Sequence, residues 1–450
     1  MRYRTITDLP TELLEIILLQ LPAWKYSHTL RAVSLTCKRL RAGSLEFVFT
    51  DTLKVRDITT FDHLLRFLDT NPRAVKRVQS LTLSGRRKEL DPQNERYLLE
   101  TAVDEALLAR VVARLPSLQT VMLVTLLYLP STSEDHRNHA RHRHKLRSLS
   151  IRGSWTPQCS VAGLFQVLSL FSAKSLDIIT WCYSSDSGDS DPFDVRSLQV
   201  HRCLAPALLH IDAFPLSGPQ WNPQLLAALT KSLRADALRD LRINIDSPKA
   251  ARCAGELLMH AGRRITHLAL HRHAPFSQSE RDGWIDPLQG KSVVFGVLCD
   301  PHRGVLLTRS LDSWQKLNIE SCISLESIYI PIYFGPSKPK HTPQEALASP
   351  IARILEHASP TLRWVAIELR DLYRSTAIAD ESLLKLHELD KVLVQDRFPK
   401  LQYVQLEVHA DHDLRRKGAY WPECVKAAKR VLPNLQARRL LDVRDTSWTQ

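Results

Sequence analysis

The chain of 450 residues has no uninterrupted apolar stretch of membrane-spanning length; its longest candidate, Thr120 to Pro130, is too short. The apolar run near the N-terminus is interrupted by Glu12 and Glu15, and no small-residue cleavage site follows, which argues against a secretory signal. Pairs of the C-x-x-C type are missing as well. The eight cysteines (Cys37, Cys159, Cys182, Cys203, Cys253, Cys299, Cys322 and Cys424) are scattered, a spacing that fits neither a zinc site nor a small disulfide framework. Free thiols in a reducing compartment are expected, hence cytosol or nucleus, and no membrane partner.

Catalytic signatures are missing too. The chain holds no G-x-S-x-G elbow, no H-E-x-x-H and no H-x-E with a downstream P-C-x-x-C. Gly290-Lys291-Ser292 looks like the end of a phosphate-binding loop, but the glycine required five positions earlier is Ile285. The residues that follow, Val293-Val294-Phe295, read as strand, whereas phosphate binding needs a helix N-terminus there. Neither a cofactor nor a metal is implied, and a hydrolase or transferase on an α/β fold is disfavoured.

What is present is an ordinary globular composition, 44% hydrophobic and 24% charged, in a chain long enough for more than one domain. Lys and Arg exceed Asp and Glu by 61 to 48, a formal charge of +13 that favours acidic partners. At the N-terminus, Leu9-Pro10-Thr11-Glu12-Leu13 opens a helix, with proline suited to its first turn and Pro22 ending it. Leu13, Ile17 and Leu21 fall on one face, and Leu14, Ile16, Leu18 and Leu19 fill most of the rest. So apolar a helix needs two surfaces to bury against. A second helix puts Leu30, Val33, Cys37 and Leu40 on one stripe and ends near Gly43.

Together these two segments resemble the F-box, the helical module that docks F-box proteins onto the Skp adaptor of SCF-type ubiquitin ligases. Leu9-Pro10, Glu12-Leu13, Ile17-Leu18 and Leu21-Pro22 fit the opening pattern, and Val33-Ser34, Cys37-Lys38-Arg39 and Arg41 the closing one. Leu40 stands where the family usually has tryptophan. The resemblance implies an F-box over residues 5–50, with Leu9, Pro10, Leu13, Ile17, Leu18, Leu21, Val33, Cys37 and Leu40 on the adaptor. It also implies a cullin scaffold as indirect partner and a non-catalytic role.

A bridging segment is expected over 51–77, with Phe61 to Leu68 an amphipathic helix. Beyond it the pattern apolar-x-x-apolar-x-apolar recurs. It appears at Val78/Leu81/Leu83, Leu118/Val121/Leu123, Leu146/Leu149/Ile151, Val195/Leu198/Val200, Leu238/Leu241/Ile243 and Ile265/Leu268/Leu270. It returns at Trp314/Leu317/Ile319, Leu325/Ile328/Ile330, Leu362/Val365/Ile367 and Leu401/Val404/Leu406, with a weaker instance from Leu208 to Ile211. The last two apolar positions of each unit alternate as in a strand. Helical periodicity lies between units, over 97–115, 223–233, 250–261, 343–357, 380–394 and 422–432. The alternation resembles the degenerate leucine-rich repeats of fungal F-box proteins. The expected fold class is therefore α/β: a short helical F-box, then an irregular leucine-rich-repeat-like horseshoe over 78–432 and a tail over 433–450. A doubly wound α/β domain is the competing architecture.

Residues 131–145, 184–192 and 331–350 read as loops. In the first, Arg137, Arg141, Arg143 and Lys145 lie among four histidines, too cationic for a metal but suited to an acidic or phosphorylated substrate segment. A solvated loop without partner stays open as the plainer reading. Trp364, Tyr403 and Tyr329 are expected in the core, whereas Trp155, Trp181, Trp221 and Tyr333 are candidates for partner contact. The leading expectation is a substrate-recognition subunit of an SCF-type ligase. A basic nucleic-acid-associated scaffold is the alternative, disfavoured because the basic residues are not gathered with stacking aromatics.

Overall fold

The structure, a computed structural model, describes residues 52–446 except 92–95, 100, 131–142, 156–158, 183–203, 216–220, 246–247, 272–315, 334–348, 382, 395 and 417–418. Its main sheet has twelve strands. They are β1 (Thr52–Ile58), β2 (Ser80–Gly85), β3 (Thr120–Val124), β4 (His144–Trp155), β5 (Phe171–Cys182) and β6 (Leu208–Pro215), followed by β7 (Asp240–Asn244), β8 (His267–His271), β9 (Ser327–Tyr333), β10 (Trp364–Leu372), β11 (Tyr403–Ala410) and β12 (Leu441–Asp445). Order in the sheet is order in the chain, and the pairings are parallel.

This corrects the expected fold class. In place of a helical F-box followed by a leucine-rich-repeat-like horseshoe, the described residues form an α/β fold with a twelve-stranded, all-parallel sheet. Residues 5–50 lie outside the described residues. Two segments set apart from the repeats belong to the ladder. β1 comes from the expected bridge and pairs with β2, and β12 comes from the expected tail and pairs with β11. The doubly wound alternative needs a reversal of strand order, and this sheet has none.

The chain divides into two compact units, Met1–Leu90 with Tyr97–Lys174, and Asp91–Arg96 with Ser175–Gln450. In the first, α1 (Asp62–Thr70), α2 (Glu105–Val112) and α3 (Val161–Ser169) pack in chain order, α1 on α2 and α2 on α3. Asp104 caps α2 by accepting from the Leu107 N–H at 2.7 Å, and Ser160 caps α3 by accepting from Gly163 at 3.1 Å. The periodicity over 97–115 overextends this helix. Arg96–Leu99 and Ala102–Val103 are short strands, and the Asp104 cap fixes the helix start.

In the second unit, α4 (Trp221–Ser232) packs on α5 (Pro248–Ala261), and α6 (Ser349–Glu356), α7 (Leu386–Val394) and α8 (Tyr420–Val431) pack in succession. Of the unit expected at Trp314/Leu317/Ile319, Trp314 lies outside the described residues and the rest is not a strand. Asn318 takes a left-handed backbone (φ 50°), and Ile319–Ser321 turns into a 3-10 helix. That turn lies hard against α5, where a Cβ on Gly255 would come within 1.8 Å of the Lys316 carbonyl. The unit at Val195/Leu198/Val200 lies outside the described residues.

Right-handed crossovers between parallel strands in sequential order put their helices on one face of the sheet. Leu241 and Ile243, Leu268 and Leu270, Ile328 and Ile330, Val365 and Ile367, and Val404 and Leu406 are all buried, and so are Asn244, Ser327, Ala366, Glu368 and Gln405 among the positions that alternate with them. The intervening positions are mostly polar.

Before β12 the chain is held by Asp390 of α7, a buried carboxylate. It accepts from the Asn434 backbone N–H at 3.1 Å, the Asn434 side-chain amide at 2.8 Å and the Leu435 N–H at 2.9 Å. The two backbone groups are orphan donors of the short helix Pro433–Ala437. Asp390→Ala is expected to lower unfolding free energy by about 3 kcal/mol, because charge-assisted bonds are lost and buried N–H groups go unpaired. Urea unfolding of the two proteins checks this, and an unchanged midpoint would refute it.

Candidate interaction surface

The site begins with strand alternation. With Leu, Ile and Val pointing to the helices, the alternate residues on each strand share the opposite face. Parallel register then lines them up in rows across the second unit. One row runs Ser175, Leu208, Asp240, His267, Ser327, Trp364, Tyr403. The next runs Asp177, His210, Arg242, Ala269, Tyr329, Ala366, Gln405, Asp442. In the third, Ile179 pairs with Asp212, Pro331 with Glu368, Glu368 with Glu407, and Glu407 with Arg444. In the first unit the positions that alternate with the buried residues are mostly hydroxyls: Thr52, Ser80, Thr120 and Ser148 form one row, and Thr82 and Ser150 lie in the next.

A short motif organises the charges. Asp240-Leu241-Arg242, Glu368-Leu369-Arg370 and Asp442-Val443-Arg444 each place a carboxylate and a guanidinium two residues apart on the polar face. Each arginine Nε turns back onto its own carboxylate, at 3.6, 2.6 and 2.6 Å respectively. Between strands, His210 Nδ1 lies 2.8 Å from Asp177, and Asn244 donates to Asp212 at 3.4 Å. The Tyr329 hydroxyl donates to buried Glu368, and burial followed by that carboxylate pushes the phenol upward. On β11 and β12, Tyr403 donates to Asp442 and Arg444 donates to the Tyr403 oxygen. Burial alone would raise the Asp442 carboxyl, but Tyr403 and Arg444 bring it below the ordinary range.

Glu368 and Glu407 sit side by side in register. Burial, and then the Glu368 charge, hold the Glu407 carboxyl above the ordinary glutamate range, against smaller opposing effects of Arg444, Gln405 and Arg370. Trp364, 37% exposed, stands in register beside half-buried Tyr403.

Three of the aromatic expectations are therefore corrected. Trp364, Tyr403 and Tyr329 are not core residues, because the alternation that buries Ile328, Val365 and Val404 turns their neighbours outward. Trp155, Trp181 and Tyr333 lie near the C-terminal ends of β4, β5 and β9, and Trp221 opens α4. Of the basic loop, Arg143 is half-buried just ahead of β4, and Lys145 is an exposed residue of β4 itself. Arg137 and Arg141, like Leu9, Pro10, Leu13, Ile17, Leu18, Leu21, Val33, Cys37 and Leu40, lie outside the described residues. The carboxylate-x-arginine motifs carry a signal that the repeat pattern hides, since acid and base two apart on a strand share a face.

One row puts Asp240, His267 and Ser327 on adjacent strands, with His267 Nδ1 2.6 Å from the Ser327 hydroxyl. This is not a working triad. Asp240 is engaged by Arg242, and Ser327 lies at the start of a strand rather than at a helix N-terminus that would donate to an oxyanion. Cys322 and Cys424 are buried thiols pushed up to about 12, far from thiolate reactivity. Among the described residues, no group of three or more Asp, Glu, His or Cys side chains is placed to hold a metal. No helix there is long and apolar enough to cross a membrane. No protein-family model matches the chain, and no curated protein matches it either.

The Glu407 shift predicts a pH dependence. Because the folded chain holds the Glu407 proton more tightly than the unfolded chain, ionising this group costs stability. The cost is absent below pH 4.5, the unfolded value, and complete above the raised folded value. Glu407→Gln is expected to raise the urea midpoint at pH 7, with the gain disappearing below pH 4.5. A lower midpoint at neutral pH would contradict the assignment.

Proposed function

We propose that the chain is the substrate-recognition subunit of an SCF-type ubiquitin ligase. Residues 5–50 bind the Skp-type adaptor, and the polar face of the parallel sheet takes up a protein substrate. The role is non-catalytic: the subunit raises the concentration of substrate near a ubiquitin-loaded enzyme on the cullin scaffold. It belongs in the cytosol or nucleus, where such ligases act.

One observation of the structure supports the substrate half of this reading. All-parallel sheets are normally covered on both faces. Here the described residues of one face carry ion pairs and Trp364, a large apolar side chain that is 37% exposed. Aromatic residues in that setting anchor protein interfaces. The adaptor half rests on the paired helical patterns around Leu13 and Cys37.

Affinity purification of the full chain, scored for adaptor and cullin, tests the reading. Leu13→Glu and Ile17→Lys are each expected to abolish adaptor capture, since a charge in an apolar interface costs several kcal/mol. Urea unfolding of the sheet should be unchanged in both. Undiminished capture by both variants would remove the proposal.

A further inference from the structure

Resting on that receptor role, we propose that the polar face of the second unit, centred on β9 to β12, binds a cationic segment of the substrate protein, rich in lysine or arginine. The charge of the face points there. Its described outward positions carry six carboxylates, Asp177, Asp212, Asp240, Glu368, Glu407 and Asp442, against three guanidiniums, Arg242, Arg370 and Arg444; on β9 to β12 alone, buried Glu368, Glu407 and Asp442 stand against Arg370 and Arg444. Each of those arginines already rests on the carboxylate two residues before it. The balance is acidic on a chain whose formal charge is +13, so the face and the whole chain select opposite partners.

The structure also contains an internal example of how a cation is held there. The Arg444 guanidinium lies 5.7 Å from the centroid of the Tyr403 ring while its Nε donates to Asp442 at 2.6 Å. Ring and carboxylate together hold the cation, the ring quadrupole adding to the ion pair. One strand over, Trp364 exposes a larger ring beside Tyr403, and Glu407 lies farther along the same face. A lysine or arginine side chain from a partner meets the same two kinds of group.

The test uses the full chain and three labelled probes: an unstructured lysine- and arginine-rich peptide, the same peptide with glutamate at the charged positions, and a single-stranded RNA. Fluorescence anisotropy is read against salt for wild type, Trp364→Ala and Glu407→Gln. Wild type is expected to prefer the cationic peptide, with affinity falling as salt rises. Trp364→Ala should weaken it on the order of tenfold. Glu407→Gln should weaken it as well while unfolding at higher urea, which separates loss of charge from loss of fold.

Preference for the glutamate peptide or the RNA would overturn the proposal, since the net charge alone accounts for that. So would equal cation affinity in all three proteins. Adaptor capture is scored in parallel. Retained capture without cation binding sinks this inference alone, whereas cation binding without capture sinks the ligase role and leaves the surface standing.

Discussion

One backbone arrangement recurs at the start of the strands and sets everything downstream of it. The carbonyl one residue ahead of the first outward-facing position accepts two successive N–H groups from the next strand. Gln79 accepts from Gln119 and Thr120, Gln119 from Arg147 and Ser148, and Ala207 from Arg239 and Asp240. Arg239, Thr266, Glu326 and Arg363 do the same for the segments opening at Thr266, Glu326, Arg363 and Gln402. The residue just ahead of each receiving pair is apolar and buried: Leu118, Leu146, Leu238, Ile265, Leu325, Leu362 and Leu401. Sinking that side chain under the helices fixes the height at which the strand begins, and the doubled acceptor fixes it against its neighbour. Register is then no longer free to slip by one residue, which would send every apolar side chain to the wrong face.

With register pinned, chemistry on the far face adds up across strands. Side chains two apart on one strand and opposite each other on the next come within reach, so ion pairs form along strands and hydrogen bonds across them. The Arg444, Tyr403 and Asp442 cluster uses both directions at once. Among the described residues, sequential crossovers put the helices on the opposite face. The face is therefore a product of connectivity, and its charges line up because the buried leucines do.

The same logic explains what the sequence reveals and what it hides. The apolar-x-x-apolar-x-apolar units around Val121, Leu241, Leu268, Ile328, Val365 and Val404 mark strands, because the spacing encodes one anchoring residue and two inward strand positions. β5 escapes the pattern because position 173, where the spacing calls for a large apolar residue ahead of Leu176 and Ile178, is a half-buried alanine within the strand. At Trp314/Leu317/Ile319 the spacing is met but left-handed Asn318 diverts the backbone, and Leu317 and Ile319 are buried in a turn instead. Residue type misleads at Tyr329, Trp364 and Tyr403. Aromatic character argues for core, and position parity, the stronger constraint, places them outside. The positions proposed to bind an adaptor rest on pattern alone, and their segment lies outside the described residues.

Net charge is the weakest guide of all to this surface. A count of 61 basic against 48 acidic residues describes the chain seen from beyond a screening length, about 10 Å at moderate salt. A side chain docking between Trp364 and Glu407 is closer than that to each. What it meets is set by the few outward positions of three or four strands. There each arginine is already satisfied by its own carboxylate, while Glu407 sits beside Glu368 with its charge only partly offset. The Gln405 amide donates to Glu407, yet burial and the neighbouring carboxylate outweigh that bond, so the ionised group costs the fold stability. Asp442, one strand over, is the opposite case, its carboxyl brought below the ordinary range, against burial, by Tyr403 and Arg444.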